Sequence, residues 1–162
     1  MSVAEDLLMG NPLSTGQEQV LSVLLAREQL LWVMEERVFK PSGLTEPQFN
    51  VLRILKGGPD EGYTIGEIRR RMIARNTDTP RLVDRMVMLG LVRRQQSPAD
   101  RRHCHVRLTA KGRATLVKAS ESHDRVLDDI EGLLSAPQQR TLVKVLERFR
   151  QGLKRLAGEE TR

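Results

Sequence analysis

The chain has 162 residues, of which 39% are hydrophobic and 30% charged, with a single cysteine, Cys104. That composition excludes wholesale disorder and collagen-like repeats, and one cysteine excludes a disulfide framework or a zinc finger built on paired cysteines. The formal net charge of +6 is concentrated: Ile65 to Arg113 holds 13 Lys and Arg against 4 Asp and Glu (net +9), and the remainder holds 14 against 17 (net −3). A basic middle between neutral or acidic flanks is the footprint of a polyanion-binding module. Met1–Gly10 has neither a basic start nor a long apolar core, so no signal peptide is expected there. No stretch approaches the ~20 apolar residues of a membrane span. The expected setting is cytoplasmic.

Residues 1–13 read as a loose tail, followed by a domain over 14–157 and a second tail at 158–162. Four boxes of hydroxyl and N3 side chain mark helix starts: Thr15-x-x-Glu18, Thr45-x-x-Gln48, Thr64-x-x-Glu67 and Ser135-x-x-Gln138. Pro47 and Pro137 fall in first turns, where a missing N–H costs nothing. Thr77 and Thr109 open two further helices, and Gly43, Gly57-Gly58 and Gly90 mark stops. The predicted helices are about 16–40, 46–56, 65–73, 78–89, 110–134 and 136–157. Between Gly90 and Thr109 the pattern changes to two extended segments, Leu91–Arg94 and His103–Leu108, around Ser97-Pro98-Ala99-Asp100. That is a hairpin, and Gly62-Tyr63-Thr64 offers a third short strand at its edge.

Two short helices joined by a brief turn and followed by a hairpin form a winged helix-turn-helix, whose second helix reads the major groove. The fold class is α+β and predominantly helical, with a DNA-binding lobe over about 45–109. Ile65, Ile68, Met72, Leu82, Val83, Met86 and Leu89 recur at core spacing. In the long flanking helices Val20, Leu21, Leu24, Leu25, Leu31, Met34 and Val38 form one apolar stripe. Leu142, Val145, Leu146, Phe149, Leu153 and Leu156 form another. Helices this long beside so small a lobe need further surface to cover those stripes.

Leu44-Thr45-Glu46-Pro47-Gln48-Phe49-Asn50-Val51-Leu52 resembles the helix opening of the multiple-antibiotic-resistance-regulator (MarR) family. Arg81-Leu82-Val83-Asp84-Arg85-Met86 and Gly90-Leu91-Val92-Arg93-Arg94 resemble that family's recognition helix and the approach to its wing. Asp100-Arg101-Arg102 and Val106-Arg107-Leu108-Thr109-Ala110-Lys111-Gly112 resemble its wing tip and next helix. The resemblance covers about residues 20–155. It implies a homodimeric transcriptional regulator, usually a repressor on a palindromic operator, released by a small ligand or by oxidation. It also implies dimerisation through helices 16–40 and 110–157. Pro80 departs from the pattern, since it stands where the family usually has a polar recognition residue.

On that reading Thr77, Asp78, Thr79 and Arg81 lie nearest base edges or phosphates. Arg81 reads guanine or touches a phosphate. Arg69 and Arg75, with their neighbours Arg70 and Arg71, supply phosphate charge. Asp84 and Arg85, one turn on, suit an ion pair or a backbone contact. In the wing, Arg102 is the minor-groove arginine, Asp100 holds it extended and Arg101 meets a phosphate; the alternative is an exposed ion pair at a turn. Trp32, Met34, Phe49 and Arg53 are candidates for lining an effector cleft for an aromatic or anionic molecule, with core packing the alternative for the first three.

Cys104 lies between His103 and His105, which on a strand project to the opposite face and so cannot serve it as a base. A metal site there would need ligands beyond these two and His123, so neither metal nor cofactor is expected. Cys104 reads as a small inward-facing strand residue. No phosphate-cradling glycine loop or oriented nucleophile pair points to an enzyme. The rival to a sequence-specific regulator is a non-specific architectural protein, nucleoid-associated and using the same lobe.

Overall fold

The computed structural model describes Leu7 and residues 12–74, 76–96 and 104–158. The chain forms two compact units, Met1–His123 and Asp124–Arg162.

Helix α1 runs from Thr15 to Met34. Its N-cap is Ser14 and the reciprocating residue Gln17, one residue earlier than the expected Thr15–Glu18 box. The rod continues through a π-helical turn, Glu35–Phe39, into a last α turn, Lys40–Ser42. The π turn carries the first buried side chains of the rod, Val38 and Phe39. Gly43 then stops it at φ +67°, with its N–H and that of Leu44 donated to the carbonyls of Lys40 and Phe39.

Helix α2 (Glu46–Lys56) has the expected Thr45–Gln48 capping box and buries Phe49, Val51, Leu52 and Leu55. Strand β1 (Tyr63–Thr64) leads directly into α3 (Ile65–Arg71), capped by the Thr64–Glu67 box. Helix α4 (Thr79–Met88) starts one residue later than Thr77 would set: Asp78 is its N-cap, accepting from the Arg81 N–H at 3.3 Å. The Thr77 hydroxyl instead donates back to the Ala74 carbonyl. Val83 and Met86 enter the core as expected, but Leu89, at the C-cap, is 44% exposed because the helix ends there and the chain turns at Gly90.

Strands β2 (Val92–Gln96) and β3 (Cys104–Leu108) complete an antiparallel sheet of order β1-β3-β2. The register pairs Val92 with Leu108, Arg94 with Val106, and Tyr63 with Val106. Val106 and Leu108 point into the core. Cys104 shares their side of the strand but is exposed, contrary to the inward reading. Alternation is preserved, but at position 104 the strand has run beyond the packed body of the unit. Gly62, at φ +84°, is required beside β3, since a Cβ there would lie 2.2 Å from the Val106 carbonyl oxygen.

Thr109 ties recognition helix, sheet and the next helix together. Its hydroxyl lies 2.6 Å from the Gly90 carbonyl and 3.1 Å from that of Leu91, and it accepts the Gly112 N–H at 2.9 Å, capping α5 (Ala110–Glu131). Lys111 donates to the Leu89 carbonyl at the C-terminal end of α4. Gly112 lies so close to Leu91 that a Cβ would sit 2.0 Å from its carbonyl oxygen. A helix start, a helix end and a strand start are thus fixed by two side chains and one missing one.

In the second unit α6 (Ala136–Leu156) begins at the expected Ser135–Gln138 box. Gln139 holds the preceding turn by donating to the Glu131 and Leu134 carbonyls. No residue of α6 is buried, and Leu142, Val145, Leu146, Leu153 and Leu156 are all exposed.

Candidate nucleic-acid interface

Helices α3 and α4 and the β2–β3 ribbon are held by a shared floor of Leu52, Ile68, Met72, Val83, Met86, Val92 and Val106, all buried. What remains on the outside is polar and mostly basic. Thr79 is the exception among the expected contacts. It is fully buried, its hydroxyl donates to the Thr77 carbonyl, and it faces the core rather than solvent. It leaves the set of candidate base-reading side chains.

Arg81 is 86% exposed, and its Nε sits 3.3 Å from Asp78 Oδ2 while Oδ1 of that carboxylate caps the helix. Asp78 therefore aims the guanidinium as well as starting the helix. Asp84 forms an ion pair with Arg94 at 2.7 Å, which fulfils the expectation for that position and links α4 to the wing strand β2. Sequence reasoning did not single out Arg94, since only the sheet register brings it opposite a helix ten residues upstream. Arg69 and Arg85 are exposed and carry no ion pair among the described residues. Arg71, by contrast, is tied back. It donates to the Glu67 carbonyl and lies over the Tyr63 ring with 4.1 Å to the centroid. Hydrogen bonds from the Thr64 N–H and hydroxyl hold the Glu67 carboxyl below the usual carboxylate range, so it stays ionised as the α3 cap. Arg75, Asp100, Arg101 and Arg102 lie outside the described residues.

The four expected effector-cleft residues separate. Phe49 is core, 5% exposed, packed on Phe39 with ring centroids 5.6 Å apart. Arg53, one turn along α2, lies over Phe49 and 3.4 Å from His123 Nε2, and His123 packs on Phe49 at 5.4 Å. The i, i+4 spacing of Phe49 and Arg53 was legible, but His123 comes from 70 residues away. Met34 is half-buried, and Trp32 is 63% exposed on α1, outside the core that was its alternative place. A cavity of about 340 Å³ in the same unit lies elsewhere, between the end of α2, β3 and the start of α5. None of the four residues lines it.

A recognition helix buried on one face, arginines on the other, and a ribbon ion-paired to it define a winged helix-turn-helix protein. The sequence model of the MarR family matches residues 42–103. The HTH-type transcriptional repressor Rv2887 of Mycobacterium tuberculosis is 37% identical over 114 residues, covering 67% of this chain and 77% of that one. The transcriptional regulator HosA of Escherichia coli O111:H- is 30% identical over 106 residues, covering 65% and 77%. Among solved structures, the transcriptional repressor CouR bound to a 23-mer DNA duplex superposes with a TM-score of 0.71 at 28% identity, over 86% of this chain and 99% of that one. The chain belongs to the MarR family of transcriptional regulators.

Proposed function

We propose that the protein is a homodimeric repressor that binds a palindromic operator and is released by a small aromatic or anionic effector. The observation that carries this reading is the outward face of α4, where Arg81 and Arg85 are exposed, Asp78 caps the helix start and aims Arg81, and Asp84 ties the helix to the wing strand. The N-terminal turn of such a helix meets base edges, and Arg81 has the fork that bonds both acceptors of a guanine. Arg69 and Arg75 meet phosphates, Thr77 and Asp78 flank the helix start, and in the wing Arg102 enters the minor groove with Asp100 orienting it and Arg101 on the backbone.

Two copies place two α4 helices in successive major grooves. The second copy covers the exposed Val20 and Leu24 of α1, and the row on α6 from Leu142 to Leu156. Arg53, exposed where it lies over the buried Phe49 ring and beside His123, supplies the cationic contact for the effector. DNA selection from a random duplex pool tests the reading. The expected product is an inverted repeat with half-sites about one helical turn apart. A single unrepeated site, or light scattering that gives a monomer of 18.4 kDa at micromolar concentration, contradicts the homodimer.

A further inference from the structure

We infer that Pro80 is a specificity-determining residue that reads a thymine in each half-site through its 5-methyl group. The inference rests on the proposed docking of α4 in the major groove and adds which base the helix start selects. Four residues make up the start of α4. Asp78 spends one carboxylate oxygen on the Arg81 N–H and the other on the Arg81 guanidinium. Thr79 is fully buried. Only Pro80 and Arg81 present side chains to solvent without a structural duty in the helix start.

Arg81 brings donors; Pro80 brings none. A proline has no side-chain hydrogen-bonding group and no backbone N–H, so position 80 cannot bond a base acceptor or a phosphate oxygen. It exposes three ring methylenes on a fixed backbone. The one apolar feature on a major-groove edge is the thymine methyl. A rigid ring also has no rotamer freedom to lose when it packs there. Val87 and Met88 are the other apolar side chains exposed on α4, at 37% and 81%, but both lie about two turns further along, and so further from the end that meets the bases.

The test uses the full-length protein and the half-site defined by selection. Each dT is replaced in turn by dU, which removes only the methyl group. For the wild type, one replacement per half-site is expected to weaken binding about fourfold, the worth of one buried carbon. In Pro80→Ser, whose serine suits a first helical turn, the same replacement should change affinity by under about twofold. In Met88→Ala the full effect should remain. A second readout needs no variant: 5-iodo-dU at that position should photocrosslink to the tryptic peptide Asn76–Arg81. No response to any dU in the wild type, an undiminished response in Pro80→Ser, or crosslinking to the peptide holding Met88 overturns the inference. If selection enriches no sequence at all, it is the operator-binding reading that fails.

Discussion

At the residue scale, single atoms decide how the recognition helix is held. Gly112 packs against the Leu91 carbonyl with no room for a methyl group. Gly112→Ala must therefore push α5 off the start of β2, and overpacking of this kind costs about 1–3 kcal/mol. Thermal unfolding checks it, with a fall in Tm of about 2–4 °C per kcal/mol expected for a chain of this size. An unchanged Tm would mean that the helix and strand are not in fixed contact. Arg81 carries the opposite kind of prediction, affecting function and not stability. Arg81→Ala should cost about 1–3 kcal/mol of operator affinity and relax preference at one position. Melting should barely move, because the side chain is exposed and its ion pair with Asp78 is a surface one. Equal weakening on operator and random DNA would make Arg81 a phosphate contact.

At the scale of elements, most of the fold was legible because short-range chemistry marks the ends of helices. The boxes at Thr45, Thr64 and Ser135 and the stops at Gly43 and Gly90 stand where the spacing puts them. The misplacements have local causes. Two hydroxyl or carboxyl residues compete side by side at Ser14–Thr15 and at Thr77–Asp78, and backbone geometry, not spacing, decides between them. Burial was harder to read at element ends. Leu89 and Cys104 keep the right phase, but both stand past the edge of the packed body. Thr79 shows the converse, a polar residue in core phase. The partnerships Asp84–Arg94 and Arg53–His123 join positions that no local pattern links.

Helix α6 has an electrostatic signature of its own. The Arg150 guanidinium, then the Gln151 amide, donate to the Glu147 carboxylate and hold its pKa at about 2, down from 4.5. A carboxyl whose folded value is lowered favours the folded helix above its unfolded value, and that help disappears as pH falls through the folded one. Loss of that pairing should contribute to acid sensitivity of the wild-type helicity between about 4.5 and 2, and Glu147→Gln should reduce that sensitivity. Carbon NMR of the Glu147 carboxyl checks the cause directly; a midpoint at the ordinary value would refute it. The group is fully exposed, so salt should also weaken the effect.

At the scale of the whole molecule, the charge division is the same in sequence and in structure. The +9 segment supplies α3, α4 and the wing strands, while the apolar rows left uncovered lie on α1 and α6. An architectural DNA-binding protein would use the first feature alone. A regulator needs both, since covering the rows with a second copy fixes the distance between two recognition helices and makes the pair selective for two half-sites. The most direct measurement is therefore the ratio of affinities for the selected inverted repeat and for random duplex of equal length, titrated at one physiological salt concentration. The account predicts a preference of at least about 10³, with two chains bound per repeat. Equal affinity for both duplexes, with the same salt slope, would contradict it.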